Sequence, residues 1–130
     1  MKPEELLKLL VPVVEKLSTE IAAVYLFGSA VTEDTGPLSD IDLAVLLKEK
    51  AAGIPDLRFR LYADFSKALR RNDIDVVVLN TLSNLVLKDE IVRSGLLFFD
   101  FDPEFREEFE IRTIHSCIDF KQQRLKAVGF

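Results

Sequence analysis

Eleven aspartates are spread along this 130-residue chain, and six of them stand in three Asp-x-Asp triplets: Asp40/Asp42, Asp73/Asp75 and Asp100/Asp102. With so many Asp, about one such triplet arises by chance, so position decides which of them carries chemistry. Gly28-Ser29 is followed by ten residues and then Asp40-Ile41-Asp42, a combination expected only about 0.002 times from this composition. Side chains two apart on a strand share a face, with Cα atoms roughly 6.6 Å apart. Asp40 and Asp42 can therefore present two carboxylates to one site while Ile41 faces the core. Two such acids beside a hydrophobic strand repel each other and resist desolvation, and a hard cation such as Mg²⁺ relieves both costs. In a Gly-Ser turn the glycine lets backbone N–H groups approach a phosphate, and the serine hydroxyl donates one more bond. Asp75 brings a third carboxylate. Two metals about 3.5 to 4 Å apart can bridge the phosphates of a nucleotide and lower the pKa of an attacking hydroxyl, with a carboxylate accepting its proton. The implied reaction is in-line transfer at phosphorus.

Positioning these groups requires a small set of elements. Leu6, Leu9, Leu10, Val13, Val14 and Leu17 give Pro3 to Leu17 the spacing of a helix with one buried stripe, with Pro12 as a candidate bend. Ile21 to Phe27 is apolar throughout and reads as a buried strand that ends at the Gly-Ser turn. Residues 30 to 39 have loop composition, and Ser39 turns the backbone before Asp40, where its hydroxyl can also reach a phosphate. Ile41 to Leu47 is a second strand with Asp42 inside it. The pattern then predicts a helix over Asp56 to Arg71, a strand over Ile74 to Leu79, and a helix capped by Thr81 or Ser83 that runs to Arg93, with Gly95 just beyond. A strand over Leu96 to Phe99 follows, and Pro103 opens a long helix that reaches about Lys126. This order indicates a small mixed sheet of about four strands flanked by helices, in the α/β or α+β class, as one domain over 1–130.

Composition narrows the function. Apolar residues make up 48% and charged residues 30%, enough for a packed core and unlike a disordered chain. The net charge of -5 has the wrong sign for a direct nucleic-acid binder. One cysteine, Cys117, and one histidine, His115, exclude an internal disulfide and a Cys/His zinc site. No apolar stretch is long enough to span a membrane, and MKPEELLKLL is not a signal peptide, so a cytoplasmic protein is expected. Other features have ordinary readings. Asp100 and Asp102 precede a helix and favour its dipole, Arg70 and Arg71 end a helix where cations are favoured and where they can also meet a phosphate, and His115 is structural. Seven of the ten Phe lie at or after position 98. That excess suits a partner surface on the helix over 103–127.

The segment GSAVTEDTGPLSDID resembles the signature of the DNA polymerase beta-like nucleotidyltransferase superfamily, and the small size resembles its minimal nucleotidyltransferase (MNT) branch. The resemblance implies a polymerase beta-like fold. It also implies that Gly28 and Ser29, with Ser39, hold the nucleotide phosphates, that Asp40 and Asp42 bind two Mg²⁺, and that Asp75 rather than Asp73 is the third acid, which helps activate the acceptor hydroxyl. The tail LLFFDFDPEFREEFEIRTIHSCIDFKQQ is similar to the C-terminal segment of MNT antitoxins, which pair with HEPN ribonuclease toxins. Such antitoxins transfer AMP from ATP to a tyrosine of the toxin. The implied partners are ATP and a HEPN-domain toxin, in a homo- or hetero-oligomer. A nucleotide-binding regulator that inhibits by docking alone, and a transferase acting on a small-molecule hydroxyl, are the alternatives; the lack of an acceptor-binding domain speaks against the second.

Overall fold

The computed structural model describes residues 2–28 and 41–129. Its first helix, α1 (Pro3–Lys16), starts with Pro3 in the first turn, carries Glu4 and Glu5 where the helix dipole favours acids, and buries Leu6, Leu10 and Val14. The apolar run Ile21–Phe27 is β1, and Ile41–Leu47 is β2. A crossover through α2 (Leu57–Leu69) leads to β3 (Ile74–Val78), which is parallel to β2. After a short 3-10 turn at Leu79–Thr81 come α3 (Leu85–Ser94), β4 (Leu96–Asp100) and α4 (Pro103–Ala127). The sheet order is β3-β2-β1-β4, and β1 is antiparallel to both of its neighbours. The expected mixed four-stranded α+β sheet is what forms.

The alternation of side chains divides the core in two. Val24 and Leu26 of β1, Ile41, Leu43 and Val45 of β2, and Ile74, Val76 and Val78 of β3 pack against α1 and α2, where Leu6, Leu10, Leu61 and Phe65 are fully buried. On the opposite face, Ala23, Tyr25, Ala44 and Leu46 meet Ile91 of α3 and Phe105 and Phe109 of α4. Ile41 and Ile74 both enter the first core and are register partners. Their neighbours Asp42 and Asp75 must therefore project from the second face.

Two boundaries and the role of Asp100 differ from the expected ones for local reasons. The third strand stops at Val78, because Leu79 turns inward as a fully buried residue of the 3-10 turn. The cap of α3 is Asn84, whose Oδ1 accepts from the N–H of Leu87 at 3.1 Å, so neither Thr81 nor Ser83 serves. At the start of α4, Asp102 caps the helix by accepting from the N–H of Phe105 at 3.2 Å, whereas Asp100 turns to Arg106, 2.9 Å away.

Candidate active site

β2 and β3 place their acids side by side. Asp42 and Asp75 are direct partners in the parallel register, so they occupy adjacent strands about 4.8 Å apart and share a face. Both lie near the N-terminal ends of their strands. β1 runs the other way, so its C-terminal end arrives at the same edge, with Phe27 opposite Asp42. The next residue, Gly28, has φ +76°, and a Cβ built there would stand 2.3 Å from Oδ2 of Asp42. A side chain there would strain the backbone and force the Asp42 carboxylate to move. The backbone turn and the Asp42 carboxylate are thus in contact, with Asp75 next to them.

Asp42 is half-buried and Asp75 exposed, which suits one ligand anchored against the sheet and another open to an incoming group. Among the described residues Asp75 forms no ion pair, so its charge is available. Ser29, Ser39 and Asp40 lie outside the described residues. Among the described residues no cluster of three Asp, Glu, His or Cys side chains is assembled. Two hard oxygen donors sharing one face beside a glycine turn are nevertheless a donor set that suits Mg²⁺.

Asp73, the competing third acid, is engaged elsewhere. Nε of Arg71 donates to its Oδ1 at 2.7 Å, and an Nη of the same guanidinium reaches its Oδ2. Chiefly through these bonds, Arg71 holds the Asp73 carboxyl below its ordinary value of 3.8. The backbone of Asp73 also has a positioning role, since its carbonyl accepts from the N–H of Ile41 at 3.0 Å and so extends the β2–β3 register. Sequence reasoning ranked Asp75 above Asp73 but did not see this clamp; a cation and an acid two residues apart across a helix end was the available signal.

Two other polar devices escaped it. Asn80, beyond β3, accepts from the N–H of Leu47 at 2.8 Å and donates to its carbonyl at 2.9 Å, holding the far end of β2. Tyr25 donates to Glu110 at 2.7 Å, and Arg106 joins Glu110 at 2.6 Å and Asp100 at 2.9 Å. Burial, and then the bond to Glu110, push the Tyr25 hydroxyl pKa well above its ordinary value. Neither device reaches the acid end, and His115 is an exposed residue of α4.

A family model described as "Polymerase beta, Nucleotidyltransferase" matches residues 10–104. The chain belongs to that family. No curated protein matches its sequence. Among solved structures, a toxin-antitoxin crystallised with AMP-PNP has a TM-score of 0.77 at 24% identity, covering 94% of this chain and 94% of that one. An MNT antitoxin in complex with a tri-AMPylated Shewanella oneidensis HEPN toxin gives a TM-score of 0.68 at 23% identity, over 96% of this chain and 94% of that one. A mutant of the toxin-antitoxin MntA-HpeT gives 0.71 at 26% identity, over 98% and 95%. This nucleotidyltransferase therefore has the fold of those complexes over nearly its whole length.

Proposed function

We propose that this chain is a magnesium-dependent protein adenylyltransferase, the antitoxin of a HEPN/MNT pair, which moves AMP from ATP to a tyrosine of its HEPN partner. The observation that carries the reading is the register of Asp42 with Asp75 at the edge where Gly28 turns. It is supported by the family membership and by similarity to solved complexes that contain AMP-PNP in one case and an AMPylated toxin in another.

In the reaction, the tyrosine hydroxyl oxygen attacks the α-phosphorus of ATP. An oxygen–phosphorus bond forms, the bond to the β-phosphate oxygen breaks in line, and pyrophosphate leaves with its electron pair. The phenolic proton passes to a carboxylate of the site; Asp75, exposed beside Asp42, is open to the incoming hydroxyl. Gly28, Ser29 and Ser39 would hold the phosphates through backbone N–H groups and hydroxyls. Asp40, Asp42 and Asp75 would hold magnesium, whose chemistry is to neutralise phosphate charge and acidify the acceptor hydroxyl. With ATP as donor, the reaction belongs in the cytoplasm; among the described residues no helix is long and apolar enough to cross a membrane.

The test is to incubate the protein with ATP labelled at the α-phosphate, Mg²⁺ and its cognate HEPN-domain protein, and to map any label by mass spectrometry. AMP on a tyrosine of the HEPN protein is the expected result. Label on a small-molecule hydroxyl without the partner, or no transfer under conditions where a control enzyme works, overturns the reading.

A further inference from the structure

The last turns of α4 leave the domain. Thr113 and Cys117 are its buried residues, and every residue from Ile118 to Gly129 is exposed. A helix end of this length that buries none of its residues gains little from packing on the domain, so it is open to a partner. The spacing of its apolar residues says what kind. Ile111, Ile118 and Leu125 recur every seventh residue, and Ile114 and Val128 stand three places after the first and the last. Ile111, Ile118, Leu125 and Val128 are 55%, 43%, 53% and 68% exposed. On a helical wheel Ile111, Ile118 and Leu125 lie roughly 120° around from Thr113 and Cys117, so they are not on the face laid on the sheet. A seven-residue apolar repeat is the pattern that packs against another helix.

Charge selects among helices. After Asp119 the helix has no acid but carries Lys121, Arg124 and Lys126. Lys121 occupies the stripe itself, and with Arg124, Leu125 and Val128 it lines a shallow groove of about 390 Å³. Parallel pairing of two copies would set these three cations against their equivalents. Antiparallel pairing, with Ile111 opposite Val128, would set them against Ile118, His115 and Thr113, none of which is acidic. A second copy therefore lacks the complement. We propose that the stripe Ile111–Val128 of α4 docks a helix of the HEPN partner that carries an apolar seam flanked by carboxylates; the identity of that partner rests on the reading above, whereas the surface does not.

Docking here is separate from the chemistry. α4 lines a cleft of about 710 Å³ with Glu49 and Asn80, which follow the C-terminal ends of β2 and β3. Asp42 and Asp75 lie at the opposite ends of those strands. The experiment measures the affinity of the full chain for its cognate HEPN-domain protein, beside AMP-PNP affinity, AMP transfer and the melting temperature. Ile118→Arg is expected to weaken partner binding at least about tenfold while AMP-PNP affinity and melting stay at wild-type values. The double variant Lys121→Glu, Arg124→Glu should weaken it as well, with the deficit shrinking as salt rises, and it stands in should Ile118→Arg disturb the fold. Wild-type partner affinity in both variants overturns the proposal, as does a wild-type chain that dimerises alone through this stripe. Should the wild type bind through the stripe yet transfer no AMP, the transferase reading fails and the docking surface stands. Should it transfer AMP while both variants bind like wild type, only the docking surface fails.

Discussion

Gly28 carries two constraints at once, a left-handed φ of +76° and the contact with Oδ2 of Asp42. Replacing it with alanine costs about 1–2 kcal/mol in backbone strain and drives the Asp42 carboxylate off its position. Gly28→Ala is expected to weaken AMP-PNP binding at least about tenfold, read by calorimetry, with a modest loss of thermal stability. Asp73 makes a different prediction. Its carboxyl titrates below 3.8 in the folded chain, so the pair with Arg71 contributes stability that is fully present above that pH and is lost as pH falls through the depressed value. The stability difference between wild type and Asp73→Asn should stay flat from pH 8 to about pH 5 and shrink only below about pH 4, as followed by denaturant unfolding. The partial exposure of Asp73 keeps the difference small.

At the scale of elements, the hydrophobic periodicity was a sufficient guide. Each of the eight main helices and strands forms close to where its pattern of apolar residues puts it, because burial of Leu6, Leu10 and Val14 or of Leu57, Leu61 and Phe65 on one face is a local property of the chain. Register is not local. That Asp42 stands beside Asp75 follows from Ile41 and Ile74 entering the same core, a long-range fact that the Asp-x-Asp spacing only hinted at. Polar clamps were illegible for the same reason, since Asn80 meets Leu47 across 33 residues. Asn80→Ala leaves the N–H and the carbonyl of Leu47 without their side-chain partner, which should cost about 1–3 kcal/mol. Urea unfolding checks the loss, and AMP-PNP affinity should hold, because the clamp lies at the opposite end of β2 from Asp42.

Across the whole molecule, the two ends of the sheet have different tasks. One gathers Gly28, Asp42 and Asp75; the other, past Leu47 and Asn80, supports α4, which the Tyr25–Glu110–Arg106 network fastens over β1. In the proposed reaction, such a division lets the chain hold its protein partner with one part and act on it with another. The family was legible in the Gly-Ser and Asp-x-Asp spacing, whereas the free end of α4 became visible only once burial showed which of its stripes the domain uses. The claim on which the molecule-wide account depends is that the paired acids perform the transfer. Single-turnover AMP transfer to the HEPN partner by Asp42→Asn and by Asp75→Asn, in complexes shown to form normally, tests it most directly. The account predicts a loss on the order of a thousandfold in each, with partner binding intact; transfer within about tenfold of wild type in either variant would contradict it.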